Sequence, residues 1–164
     1  MTIGLTIEVE IEADAWLEAL PDAAARVRAA AEVALAEAKG PPEAELTVLL
    51  TDDAEQRELN AQFRGKDKPT NVLSFPSPEF AAPHIGDVAL AYETCAREAQ
   101  EQSKPLGDHL SHLVAHGVLH LLGWDHESDA EAEAMEALER KVMARLGVPD
   151  PYLARGDDGE LRRL

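Results

Sequence analysis

Residues 108–126 read DHLSHLVAHGVLHLLGWDH, an apolar run of helical period punctuated by histidines and broken by a glycine. On an α-helix, residues four apart share a face with about 40° of drift. His112, His116 and His120 therefore form a column, with His109 beside its lower end. Two imidazoles one turn apart can aim at one cation, each nitrogen about 2.0–2.1 Å from it. His126 is different. Six residues past His120, a continuing helix would have rotated by about 600° and aimed it at the opposite face. For His126 to join the other two, the chain has to leave the helix and double back. Gly123 stands where that reversal is needed, since glycine accepts the left-handed conformation that ends helices. The partial negative charge of a helix C-terminus also favours a cation beside it.

One HxxxH pair arises in roughly one shuffled sequence of this composition in five, but a pair with His126 and Gly123 in register in roughly one in two thousand. Metal ligation is therefore the reading for His116, His120 and His126. His109 and His112 read as amphipathic filler or as support behind the ligands. Three histidines without cysteine match a catalytic zinc site, which keeps a place open for water or a substrate oxygen, and not a closed structural site. One zinc ion per chain is expected, although ligand type alone does not separate zinc from nickel or another transition metal. Zinc peptidases of this spacing place a glutamate straight after the first histidine, to take the proton from water. Here that position is Gly117, and peptide hydrolysis by that route is not expected. Asp125, next to His126, has two readings of equal weight: a group that orients a ligand or accepts a proton, and a turn former.

Around this helix the pattern predicts one α+β domain over residues 1–152, with a small mixed four-stranded sheet packed on helices. A polar tail, expected to be mobile, follows over 153–164. Thr2 to Glu12 alternates apolar and acidic residues and reads as a half-buried strand, not a signal peptide. Asp14 to Lys39 reads as helix, broken at Pro21–Asp22 and closed by Gly40-Pro41-Pro42. ELTVLL at 45–50, Val72 to Phe75 and DVALAY at 87–92 read as strands, with SPEFAAPHIG a loop between the last two. Thr51-Asp52-Asp53 can cap a helix carrying Leu59 and Phe63. Three further helices are expected over 93–102, 105–122 and 128–146, the last opened by Ser128 with Glu131 at capping-box spacing.

A formal charge of −17 repels nucleic acid at long range and, taken alone, argues against an RNA or DNA partner. The segment FRGKDKPTNVLSFP, Phe63 to Pro76, runs the other way. Arg64, Lys66 and Lys68 against Asp67 give it a local charge of +2. As a bare loop this is ordinary. Beside a divalent cation, the planar fork of an arginine suits phosphate oxygens, and salt screens the distant acidic surface beyond about 8–10 Å. A single cysteine, Cys95, fits a reducing compartment, and no apolar run reaches the length of a membrane span; the cytoplasm is expected.

HGVLHLLGWDH, with FRGKDKPTNVLSFP and IGDVAL upstream and DPY at Asp150–Tyr152, resembles the YbeY family, bacterial endoribonucleases of ribosomal RNA maturation. The resemblance runs from about residue 45 to Tyr152; the N-terminal strand and helix fit in type only. It implies that His116, His120 and His126 hold the metal, a zinc site on a zincin-like helix of an α+β fold. It implies that Arg64 is the arginine required for nuclease activity, and that a glycine at 117 is the family's own pattern. Trp124 departs from the usual tyrosine but keeps a large aromatic ring.

The implied function is metal-dependent cleavage of single-stranded RNA in 16S rRNA 3′-end maturation and ribosome quality control. Lys66 and Lys68 would then contact substrate, with Asp125 a candidate proton acceptor. The expected partners are 16S rRNA and the ribosome, with a ribosomal protein or ribosome-associated GTPase offsetting the acidic surface; no DNA or membrane partner is expected. Three other readings compete: a zinc peptidase-like hydrolase, a metal-dependent hydrolase of small molecules, and a non-enzymatic ribosome-binding factor stabilised by its metal.

Overall fold

Ile7, Val9 and Ile11 alternate with Thr6, Glu8 and Glu10, so β1 (Thr6–Ile11) half-buries one face and exposes the other. The computed structural model describes residues 5–66 and 70–152, so the expected tail at 153–164 lies outside the described residues. From β1 the chain crosses through α1 (Asp14–Ala19) and α2 (Ala23–Glu37) to β2 (Glu45–Thr51). The helix breaks at Pro21–Asp22 as the sequence suggests. It ends before Gly40-Pro41-Pro42, also as the sequence suggests, with Lys39 in the left-handed conformation at φ 56°. Gly40 has another task. A Cβ there would lie 3.0 Å from Leu35 Cδ2 and 3.3 Å from Leu122, so the glycine lets the chain pass close to two leucines.

After β2 come α3 (Asp53–Arg64), β3 (Val72–Pro76), a 3₁₀ turn at Glu79–Ala81 and β4 (His84–Ala91). The helices α4 (Tyr92–Glu101), α5 (Leu106–Leu121) and α6 (Asp129–Leu146) complete the fold. The sheet order is β1-β2-β4-β3, with β1, β2 and β4 parallel and β3 antiparallel on the edge. This is the mixed four-stranded sheet expected. β4 begins three residues earlier than the alternation predicts, because its first part pairs with β2 through a register shift at Glu45/Leu46 and carries Gly86 at φ 148°. Such a bulge breaks the period-2 pattern from which the strand was read. Tyr92 opens α4 instead of closing β4.

α5 lies at the centre. Leu110, Val114, Val118 and Leu119 are fully buried with Leu46, Val48, Leu50, Val88 and Leu90 of the sheet. Each such side chain stabilises the fold by roughly 1.5–3 kcal/mol relative to exposure. Ala23, Ala30, Ala31 and Ala34 of α2 are also fully buried, and their small size lets α2 pack against α5 and α6. Two caps form as expected: Asp52 Oδ1 accepts from the Glu55 N–H at 2.9 Å, and Ser128 Oγ from the Glu131 N–H at 3.1 Å.

Candidate metal centre

α5 stops in the way the histidine spacing requires. Gly123 adopts φ 98°, its N–H donates to the His120 carbonyl at 3.0 Å, and the Trp124 N–H donates to the Leu119 carbonyl at 3.0 Å. That is the paired bonding of a Schellman end, which satisfies two helix carbonyls and reverses the chain. The reversal brings His126 back. One ring nitrogen from each of His116, His120 and His126 lies within 4.8 Å of the others. His116 Nε2 and His120 Nε2 are 3.1 Å apart. Tetrahedral ligands each about 2.05 Å from an ion stand about 3.3 Å apart, so the pair is already near ligating separation. The donor set fits a transition-metal ion.

Behind His116 stands a carboxylate. Glu139 of α6 is 1 % exposed at its side chain, and its Oε2 accepts from His116 Nδ1 at 2.7 Å. Its Oε1 accepts from His112 Nε2 at 2.6 Å and from the Tyr152 hydroxyl. Burial by itself pushes the Glu139 carboxyl up, but the hydrogen bonds and charge of His112 and His116 outweigh it and hold it well below the usual carboxylate range. Burial and the facing carboxylate push the Tyr152 phenol up, so it stays a donor. Burial pushes His112 down. His120 is lowered too, first by burial and then by its neighbours His116 and His126. Depressed imidazoles are neutral at pH 7, the form that ligates metal.

Gly117 is buried and turned toward the sheet. A Cβ there would lie 2.8 Å from Val88 Cγ1 and 3.2 Å from Ser74 Oγ. The Ser74 hydroxyl uses this close approach to donate to the Gly117 carbonyl at 3.1 Å. Arg64, the last residue of α3, donates through Nη2 to the Ser74 carbonyl at 2.6 Å and lies over the Phe75 ring, 5.7 Å from its centroid. One residue of β3 thus links the arginine to the histidine helix.

The chain matches the family model of Endoribonuclease YbeY over residues 10–147. It belongs to the YbeY endoribonuclease family. An Endoribonuclease YbeY of Rhodopseudomonas palustris is 56 % identical over 153 residues, 88 % of this chain and 90 % of that protein. One from a Bradyrhizobium species is 54 % identical over 162 residues, 92 % of this chain and 94 % of its own length. The solution structure of TM1509 from Thermotoga maritima superposes with a TM-score of 0.56 at 26 % identity, covering 93 % of this chain and all of the other.

Lys66 is exposed just beyond α3, while Lys68 lies outside the described residues. Asp125 Oδ1 accepts from the N–H of the next residue, His126, at 2.7 Å. α3 carries Phe63 as the sequence suggests, and the ring is 60 % exposed, edge-on to Phe75 with centroids 5.4 Å apart. The buried residues of α3 are Gln56 and Asn60 instead. Gln56 Nε2 donates to the Ala89 carbonyl at 2.9 Å and to the Thr70 carbonyl at 3.3 Å, tying the return of the basic loop to the sheet.

His109 and His112 are not filler. His112 joins Glu139, and His109 Nε2 bonds Glu98 Oε1 at 2.9 Å, where Asn71 Nδ2 also donates at 3.0 Å. Burial pushes the Glu98 carboxyl up, but the bonds from His109 and Asn71 outweigh it and hold it below its ordinary value. The stability this gives is present above the unfolded glutamate value of about 4.3 and is lost as pH falls through the lower folded value. In urea melts from pH 6 to pH 3, Glu98→Gln is therefore expected to show a shallower loss of midpoint than the native protein below about pH 4.5.

Proposed function

We propose that this endoribonuclease cuts single-stranded RNA in the 3′ region of 16S rRNA at a single zinc ion held by His116, His120 and His126. The observation that carries the reading is the convergence of three imidazoles at the end of α5, with His126 exposed and no fourth protein ligand in the described cluster. When bound there, such an ion supplies Lewis-acid polarisation of a phosphoryl oxygen and activation of water. The chain's own residues do the rest. Arg64, fixed against Ser74 and Phe75, offers a cation to the charge that develops on the scissile phosphate. Lys66, and by sequence Lys68, meet neighbouring phosphates. Asp125 holds the backbone of His126. Phe63 gives a base an exposed ring on which to stack, as aromatic platforms do in proteins that bind single strands.

Work on 16S rRNA requires the cytoplasm, where ribosomes are. With a chain charge of −17 the long-range field opposes RNA, so a ribosomal protein or a ribosome-associated GTPase is the fitting escort to the substrate. Among the described residues, no helix is long and apolar enough to cross a membrane. The test is cleavage of matched single-stranded and duplex fragments of the 16S 3′ region by zinc-loaded protein. Cutting is expected on the single strand alone and should stop on chelation with little change in Tm. Phe63→Ala is expected to weaken single-strand binding by about 1–3 kcal/mol, read as a higher Kd. Equal cutting of both fragments, or cutting that survives chelation, removes the reading.

A further inference from the structure

We infer that Glu139 is the positioning residue of the metal centre, and that the turn at Asp150–Tyr152 is built into that centre because Tyr152 holds Glu139. The inference rests on the reading of His116 as a metal ligand. Three donors meet on one buried carboxylate: His116 Nδ1 on Oε2, and His112 Nε2 with the Tyr152 hydroxyl on Oε1. A carboxylate has room for all three, since each oxygen accepts more than one bond. With its Nδ1 proton committed to Glu139, His116 is fixed in the tautomer that leaves the Nε2 lone pair free, and Nε2 is the nitrogen 3.1 Å from His120 Nε2. Partners behind a ligating histidine set its ring orientation and tautomer in this way.

The hold on Glu139 comes from two directions. Through His112 it is tied to α5, the helix that bears two of the ligands. Through Tyr152 it is tied to the chain beyond α6. Gly147 ends α6 in the left-handed conformation at φ 75°; Asp150 then forms an ion pair with Arg140, Oδ2 3.2 Å from Nε, and its Oδ1 accepts from the Tyr152 N–H at 2.8 Å. The Tyr152 ring packs edge-on against His112, centroids 5.4 Å apart, with Arg140 over its face at 5.5 Å. The turn is thus anchored at its backbone, its ring and its hydroxyl, and only the hydroxyl reaches the carboxylate. Removing that hydroxyl leaves the packing in place and loosens Glu139 alone.

The experiment uses full-length native protein, Glu139→Gln and Tyr152→Phe, with Zn(II) affinity measured by competition with a chelator. Ring ¹⁵N spectra of the histidines in the metal-free proteins supply a second readout. In the native protein His116 is expected as one tautomer, protonated at Nδ1. Glu139→Gln is expected to lose that signature and to bind Zn(II) about 10–100-fold more weakly. Tyr152→Phe is expected to keep its circular dichroism spectrum while shifting both readouts in the same direction, by less. Should Glu139→Gln fail to fold, Tyr152→Phe decides. Unchanged His116 spectra with Zn(II) affinity within about twofold of native overturn the inference. A native protein that shows the His116 tautomer but binds no metal would instead remove the metal reading and leave the Glu139 contact standing, so the two failures are distinguishable.

Discussion

Arg64→Ala is expected to retain its zinc and lose RNA cleavage, whereas His120→Ala loses both. The reason lies in how each side chain is held. Among the described residues, Arg64 reaches the histidine helix through Ser74, whose hydroxyl meets the Gly117 carbonyl, and bonds no histidine ring. Removing it leaves the three imidazoles where they are. What disappears is the cation proposed to meet charge on the transition state, and loss of such a group costs about 10²–10³ in kcat. Arg64→Lys restores the charge but not the planar fork that reaches the Ser74 carbonyl, so only a small recovery is expected. His120 is one of the three proposed ligands, and its loss should weaken zinc binding by more than the roughly 10–100-fold that a supporting residue costs. Metal content by elemental analysis, read beside single-turnover cleavage of the same preparations, separates the two effects. Arg64→Ala protein without metal, or either variant with native cleavage, would break the division of roles.

The parts of this molecule that could be read from the sequence are those set by local geometry. The return of His126 follows from the six-residue offset and from Gly123, because a helix end is decided within a few residues. The basic loop stands out against an acidic chain. Glu139 was visible in another sense. It lies at i+4 from Met135 and three residues before Val142, both buried, so an acid occupies the inner stripe of α6. That signal marks a buried charge in need of partners, yet the partners lie 27 and 23 residues upstream and 13 downstream, and only the packing of α6 against α5 brings them together. Which residues α3 buries is hidden for a related reason. The inward face of α3 is set by the carbonyls of Thr70 and Ala89, which need the donor on Gln56, and that demand outranks the burial of a phenylalanine. The start of β4 was hidden by its bulge, which suspends the alternation by which strands are recognised.

Gly117→Glu, which would restore the peptidase motif on paper, is expected to unfold the protein and not to create a peptidase. The first carbon of any side chain at 117 points at the sheet, 2.8 Å from a methyl of the fully buried Val88. Val88 is β-branched and sits on a central strand between β2 and β3, so it has little freedom to give way. Gly117→Ala alone should therefore cost about 1–3 kcal/mol, a fall in Tm of roughly 2–12 °C for a chain of this size. A glutamate adds four heavy atoms and a charge beyond that carbon, in a layer where the Ser74 hydroxyl is already committed to the Gly117 carbonyl. Burying an unpaired carboxylate costs several kcal/mol more, and the sum approaches the whole stability of a typical domain, about 5–15 kcal/mol. The glycine is thus what lets α5 approach β3 and β4 closely enough for Ser74 to join Arg64 to the histidine helix. Circular dichroism melts and casein digestion by both variants decide it: a Gly117→Glu protein with native Tm, or one that digests casein, would show that position 117 faces the metal and not the sheet.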